Sequence, residues 1–207
     1  MVREFMLGGG IMWFLLACIV LGLGILIERF ISLFIKIRLN PRTFLARLIN
    51  TINEKGINAG ISLCNNTPSP VAKILKVALE KADKGRGAME ESITKAAAAE
   101  LAFLDRGMAL LAGLTTVAPF FGFLGTVTGM MRSFAAIAAA GEVEPTIVAS
   151  GISEALITTK WGLLIAAPLA IVHILLTGKI DGYTRDMEES ASGLVDYLIE
   201  QYPKGKK

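Results

Sequence analysis

Two ionisable side chains stand inside a long apolar stretch near the C-terminal end of the chain. Residues 146–177 carry Glu154 and Lys160 in a run whose only other ionisable residue is a histidine. Charged groups are costly in a bilayer, so they usually face a protein interior or a water path. An apolar wall disfavours the charged form of a carboxyl group, which suits such a group to taking up and releasing protons. Glu154 is therefore the first candidate for a functional residue.

A second set of candidates is a stripe of small and hydroxyl-bearing residues in the preceding apolar stretch. Its spacing of three and four residues places the whole set on one face of a helix. The members are Thr115, Pro119, Gly122, Thr126, Gly129 and Ser133. Small residues let helix backbones approach closely, and hydroxyl groups can bond across a helix pair. The two stretches together predict a packed, partly hydrated helix pair rather than a lipid anchor.

Composition indicates an integral membrane protein. Of the 207 residues, 53% are hydrophobic and 19% are charged, and the mean hydropathy is +0.57. Three apolar stretches are each long enough to span a bilayer as a helix: the uncharged runs 6–27 and 107–131, and the stretch from Pro145 to Leu176. A lipoprotein-like cleavage box ends at Cys18, but the residues after it are still apolar, so we expect an uncleaved span.

The residue inventory argues against enzymatic chemistry. Cys18 and Cys64 form no disulfide framework, and His173 alone forms no zinc cluster. No nucleophile–base set or phosphate-binding loop appears, so we expect neither an enzyme nor a cofactor or metal. We also expect no role for His173 as a proton relay.

The charge distribution predicts the orientation in the membrane. Twelve Lys and Arg residues lie between 36 and 106, and five more lie from 179 onwards, whereas the 132–148 connection holds only Arg132. The positive-inside rule places the first two regions in the cytoplasm, with the N-terminus outside and the C-terminus inside. The basic region contains acids and no interleaved aromatic residues, so nucleic acid is not an expected partner.

These observations predict an all-α protein with three transmembrane helices and long cytoplasmic helical extensions. The predicted regions are a first transmembrane helix (1–35), a cytoplasmic helical region (36–106), a hairpin of the second and third transmembrane helices (107–178) and a cytoplasmic tail (179–207). We expect one unbroken helix from Met89 through the second span. We expect the third helix to end near Gly178, before a short separate helix in the tail.

Two motifs suggest a family. Val117–Pro119 with Gly122–Met131 resembles the second helix of the ExbB/TolQ/MotA proton-channel family, and Gly151–Thr159, followed by Gly162 and Pro168, resembles its third. Ile27–Arg29 fits the end of that family's first helix. The order and spacing of the two glycine–threonine motifs are more specific than either motif alone. Three spans fit ExbB and TolQ, and the chain is most like an ExbB-type biopolymer transport protein.

The resemblance implies a function. Such proteins form a homo-oligomeric ring, typically a pentamer, in the bacterial inner membrane around the single-span helices of an ExbD-like or TolR-like partner with a membrane aspartate. The proton motive force would energise outer-membrane transport, with a TonB-like protein as a further partner. TolQ-like work in envelope integrity is the near alternative, and a non-conducting membrane scaffold is the alternative from another class. The scaffold would leave Glu154 unexplained.

The resemblance also assigns residue roles. Thr126, Glu154 and Thr159 would line the proton pathway, and the helix-packing positions would be Gly122, Gly125, Gly129, Pro119 and Pro168. Thr126 and Thr159 could instead bond the carbonyl group four residues back in their own helices. We expect Arg132 to cap the outer end of its helix.

Lys160 departs from the family pattern, and two interpretations remain open. A cation in a proton path needs a neighbouring acid, which could be Glu154 of a neighbouring subunit or the partner's aspartate. Alternatively, Lys160 lies near the outer boundary and snorkels to water, with Trp161 as an interface anchor.

Overall fold

A computed structural model describes residues 2–36, 39–141 and 145–201, and the side chains of 34–36 lie outside that description. Within those ranges every regular element is helical and no strand occurs. The α-helices are α1 (Val2–Leu7), α2 (Ile11–Phe30), α3 (Pro41–Lys55), α4 (Ile57–Asn65), α5 (Pro70–Leu79), α6 (Arg86–Leu104), α7 (Met108–Ala140) and α8 (Pro145–Gln201). A π-helical stretch, Ile31–Lys36, follows α2, and a 3₁₀ turn, Ala82–Lys84, precedes α6.

Three helical stretches of the described chain are long and apolar enough to cross a membrane. They are Ile11–Leu33, Arg86–Ala140 and Pro145–Gln201, with mean hydropathies of 2.5, 1.7 and 2.0 in their most apolar windows. This confirms the predicted all-α class with three candidate membrane-spanning helices. The chain divides into two compact units, one of Met1–Glu28 and Gly107–Leu175, the other of Arg29–Arg106 and Leu176–Lys207.

Glycine sets two helix boundaries that differ from the predictions. The predicted continuous helix from Met89 is broken, because α6 ends at Leu104 and α7 begins only at Met108. Gly107 lies between them with a φ of 78°, in the left-handed region that glycine adopts without steric cost. The first apolar run is likewise interrupted at Gly8–Gly10, so α2 begins at Ile11 and the short α1 precedes it.

The prediction that the third helix ends near Gly178 is wrong. The helix α8 continues without a break to Gln201 and includes the segment expected to be a separate tail helix. Beyond Gly178 its buried residues recur at helical spacing. They are Ile180, Tyr183, Met187, Ser190, Ala191, Leu194, Val195 and Leu198. One glycine inside a helix costs only about 1 kcal/mol, and burial of this stripe outweighs that cost.

The second unit includes the short amphipathic helices α3, α4 and α5. Asn40 caps α3 by accepting a hydrogen bond from the Thr43 amide (3.3 Å), and prolines occupy the first positions of α3 and α5. The helix α4 was not predicted.

Arg29 is completely buried and donates hydrogen bonds to the carbonyl groups of Phe103 (2.9 Å) and Leu104 (3.2 Å) at the end of α6. A cation at a helix C-terminus is favoured by the helix dipole.

Candidate functional site

The helices α7 and α8 meet with their backbones in direct contact. The buried face of α7 consists of Met108, Leu111, Leu114, Ala118, Gly122, Gly125, Gly129 and Ser133. A Cβ atom built on Gly122 would lie 3.0 Å from the Thr158 carbonyl oxygen, and one on Gly162 would lie 2.8 Å from the Ala118 carbonyl oxygen. These positions therefore have no room for a side chain. The helix pair can pack this closely only because the sequence supplies glycine on both surfaces.

The packed face is rotated slightly from the predicted stripe. Gly122, Gly129 and Ser133 belong to both, but Ala118 and Gly125 lie at the centre of the contact. The other three members of the predicted stripe, Thr115, Pro119 and Thr126, are half-buried at its edge. Pro168 lies within α8 and is exposed in the single chain, so its packing role stays a prediction.

Gly125 faces a threonine that sequence reasoning had not singled out. Thr158 has no exposed surface, and its Oγ1 donates a hydrogen bond to the Ala155 carbonyl (2.9 Å). A Cβ atom on Gly125 would collide with the Thr158 side chain. Thr158 thus fills the space that Gly125 leaves open. In the sequence, only its position beside Thr159 in the glycine–threonine motif indicated that Thr158 could be important.

The two predicted hydroxyl residues meet across the helix pair. The Oγ1 atoms of Thr126 and Thr159 are 2.5 Å apart. The Thr159 hydroxyl also approaches the Gly122 carbonyl (3.3 Å), and that of Thr126 approaches the carbonyl groups of Ala155 and Gly122 (both 3.4 Å). Of the two, only Thr126 also reaches the carbonyl group four residues back in its own helix. Together the two hydroxyl groups form a hydrogen-bonded pair that bridges α7 and α8, and each can both donate and accept.

Glu154 forms an ion pair with a residue that the sequence had suggested only as a cap. The distance from Arg132 Nη1 to Glu154 Oε1 is 2.6 Å, and the Glu154 side chain is 18% exposed whereas that of Arg132 is 64% exposed. Arg132 precedes the end of α7 by eight residues, and Glu154 follows the start of α8 by nine. Nearly equal distances from a hairpin turn place residues at about the same level, so counting from the turn could have found the pair.

Lys160 has its own acid within the chain. Its Nζ lies 2.7 Å from Glu4 Oε1, and the Trp161 indole donates to Glu4 Oε2 (3.2 Å). Sequence reasoning had not considered Glu4 as a partner. The pairing of Lys160 with an acid of another chain stays a prediction. Among the residues that the structure describes, no three His, Cys, Asp or Glu side chains cluster in a way that could hold a metal ion.

A model of the MotA/TolQ/ExbB proton channel family matches residues 66–189, more than half of the chain. The chain belongs to this family. The match includes all of α7, α8 as far as residue 189, and every residue proposed for the proton pathway. The resemblance found in the two glycine–threonine motifs is thereby confirmed, and the family is one of channels rather than of enzymes.

Similar proteins from this family carry ExbB and TolQ names. A putative biopolymer transport protein ExbB homolog of Methanothermobacter thermautotrophicus is 30% identical over 185 residues, covering 87% of this chain and 64% of that protein. ExbB of Pseudomonas putida is 35% identical over 89 residues (43% of this chain, 27% of ExbB), and TolQ of Haemophilus influenzae is 34% identical over 87 residues (42% and 38%). The alignments thus span less than two thirds of each relative.

The fold is also similar to that of a solved family member. A chain from the structure of Campylobacter jejuni MotAB superposes with a TM-score of 0.62 over 87% of this chain and 75% of that chain, at 18% identity. At this identity the likeness shows the fold alone. It supports the all-helical membrane architecture of this family member.

Proposed function

We propose that this chain is the ExbB-like subunit of a proton-driven motor in the bacterial inner membrane. Copies would form a ring, a pentamer by analogy with the family, around the helices of an ExbD-like single-span partner with a membrane aspartate. Proton flow between that aspartate and the ring would drive movement that energises outer-membrane transport, with a TonB-like protein as a further partner. The alignment over 87% of the chain with a putative ExbB homolog supports this type.

The observation that carries the proposal is the polar set on the α7–α8 pair. Two bonded hydroxyl groups, Thr126 and Thr159, lie between the helices, and Glu154 lies on α8 five residues before Thr159. Hydroxyl groups can relay protons through water, and a carboxyl group can bind and release them. The available driving force is about 2.3 kcal/mol per proton for each 100 mV across the membrane. A passive scaffold needs the close glycine-lined contact between α7 and α8, but it needs neither the hydroxyl pair nor the carboxyl group.

Proton conduction is tested by removing the hydroxyl pair while keeping its shape. Valine has the shape of threonine without the oxygen, so Thr126→Val with Thr159→Val should preserve packing and interrupt the polar path. We expect proton flux into liposomes that contain the full-length protein and its single-span partner to fall roughly 10²-fold or more, the lower end of the 10²–10⁴-fold range of positioned proton-transfer groups. The matched control, Thr126→Ser with Thr159→Ser, retains both hydroxyl groups and should conduct like the original protein.

The alternatives predict other results. Equal flux in the valine and serine variants would refute a role for the hydroxyl pair, and a wild-type complex without flux would indicate the scaffold. TolQ-like work in envelope integrity is a second candidate, because the identity to TolQ of Haemophilus influenzae, 34% over 87 residues, is nearly the same as the 35% over 89 residues to ExbB of Pseudomonas putida. Complementation of strains lacking either system distinguishes the two roles.

We propose that the 36–106 region and the C-terminal tail lie in the cytoplasm, on the basis of their basic charge. Native Cys64 is a poor reporter of this orientation, since it is buried and burial raises the pKa of its thiol to about 11. At pH 7 only about one thiol in ten thousand is then ionised. Its alkylation should become faster as the pH rises towards 11.

Exposed positions should report the orientation instead. In intact cells, a membrane-impermeant maleimide should label Gly10→Cys, which has open space around it. It should label Asn66→Cys, two residues from Cys64, only after the cells are opened. The unsubstituted protein gives the background. The reverse labelling pattern would contradict the proposed orientation.

A further inference from the structure

The N-terminal segment, residues 2–10, lies along one face of α8. Gly9 adjoins Glu154, Gly8 lies against Ile157, and Glu4 contacts Lys160 and Trp161. These contacts follow α8 in order while the N-terminal segment runs in the opposite direction. From Glu154 to Trp161 is two helical turns, or about 10 Å. The segment therefore covers a continuous strip of α8 rather than touching it at a single point.

The turn at Gly9 lies directly over the Arg132–Glu154 ion pair. A Cβ atom on Gly9 would collide with Glu154 Oε1 and would lie 3.3 Å from Arg132 Nη1. Gly9 also has a φ of 68°, so both its conformation and its surroundings require glycine. Glu154 is thus shielded by a peptide backbone on this side, in agreement with its low exposure.

Glu4 holds the other end of the segment with both carboxylate oxygens. One accepts a hydrogen bond from Lys160 and the other accepts one from Trp161. The side chains of Lys160 and Glu4 are 52% and 38% exposed. Ion pairs with such exposure are individually weak. The contact therefore suits a connection that opens and closes reversibly, whereas the buried α7–α8 face does not.

We propose that residues 2–10 are a latch that closes over the Arg132–Glu154 pair, limits solvent access to it, and is held shut by Glu4 on Lys160 and Trp161. The purpose of the latch rests on the proposed function, because it controls when Glu154 exchanges protons with the solvent on that side. This assigns Glu4 as a positioning residue. Lys160 then serves as the anchor of the latch and needs no place in the proton path.

The latch is tested by the accessibility of a position beneath it. Ile157 lies under Gly8 and is half-buried, so Ile157→Cys in the full-length protein reports opening without changing a charge. The unsubstituted chain gives the background, since both native cysteines are buried. With Glu4→Gln added, we expect the rate of labelling by a water-soluble maleimide to rise about fivefold, the factor that corresponds to losing one weak ion pair.

Two matched variants separate the latch from general effects of charge. Arg3→Gln changes an exposed charge on the same short helix and should leave the labelling rate unchanged. Exchanging the charges, Glu4→Lys with Lys160→Glu, should return the rate towards its original value. Thermal unfolding midpoints should agree among the variants, because the altered side chains are exposed or half-exposed.

Labelling requires no proton flux, so it tests the latch separately from the motor. An unchanged labelling rate in Glu4→Gln would overturn the latch even where the complex conducts protons. A raised rate that the charge exchange does not lower would overturn the role of the Glu4–Lys160 pair. A labelling rate that rises in Glu4→Gln and falls again on exchanging the two charges supports the latch. This result would support it even if Glu154→Gln left proton flux unaffected and the proposed motor function had therefore failed.

Discussion

Replacing Gly162 by alanine should separate α7 from α8 and strongly destabilise the protein. The added Cβ atom would lie 2.8 Å from the Ala118 carbonyl oxygen and 3.0 Å from Gly122 Cα. Both neighbours are backbone atoms, so no side chain can rotate away and the helices must move apart. Overpacking of this kind costs about 1–3 kcal/mol. We expect a clearly lower unfolding midpoint in detergent and, by native mass spectrometry, loss of the proposed oligomer.

Gly113→Ala is the matched control for this substitution. It lies in α7, and a Cβ atom there meets nothing within 4 Å. Alanine is a better helix former than glycine, by about 1 kcal/mol, so this variant should be as stable as the original or more so. Equal stability of the Gly162→Ala and Gly113→Ala variants would contradict the close helix contact.

Gly125→Ala tests the same α7–α8 contact, and a second substitution should compensate for its effect. Here the obstacle is the Thr158 side chain rather than the backbone. Thr158→Gly should therefore restore much of the stability that Gly125→Ala loses, because the two substitutions exchange which helix carries the side chain. No substitution of Thr158 should rescue Gly162→Ala.

Glu154→Gln should abolish proton flux, and its effect on stability should be coupled to Arg132. The side chain of Glu154 is largely buried and its carboxylate is 2.6 Å from Arg132 Nη1. Removing either charge leaves the other without its counter-ion, whereas removing both is less harmful. The exposure of Arg132 weakens the pair through solvent screening. We therefore expect a coupling energy of about 1 kcal/mol in the cycle of Glu154→Gln and Arg132→Gln.

A parallel cycle with Lys160 distinguishes the two possible partners of Glu154. If Arg132 is the partner, the cycle of Glu154→Gln and Lys160→Met should give a coupling energy within about 0.5 kcal/mol of zero. If Lys160 instead pairs with Glu154 of a neighbouring subunit, that cycle should carry the larger coupling in the assembled ring. Proton flux adds an independent test, because the Glu154→Gln, Arg132→Gln double variant should assemble and yet conduct nothing.

The sequence alone determined the features that depend on local pattern. Long apolar stretches indicated three spans, and two motifs identified the family. Glu154 was recognisable as a candidate because a carboxyl group in an apolar helix is costly wherever the helix lies. The glycine stripe was recognisable because helical periodicity needs no knowledge of the partner helix.

Tertiary structure decided which of these residues meet. Arg132 and Glu154 are 22 positions apart, and Glu4 and Lys160 are 156 apart, so their pairing depends on how the chain returns and how each helix is rotated. Periodicity gives the width of a packing face but not its centre, which is why Ala118 and Thr158 emerged only from the contacts and why Gly125, named by the family resemblance, lay outside the predicted stripe. The continuation of α8 through Gly178 was likewise decided by tertiary structure. A glycine ends a helix or lies within it according to the burial that its neighbours gain, and that gain is a property of the folded chain.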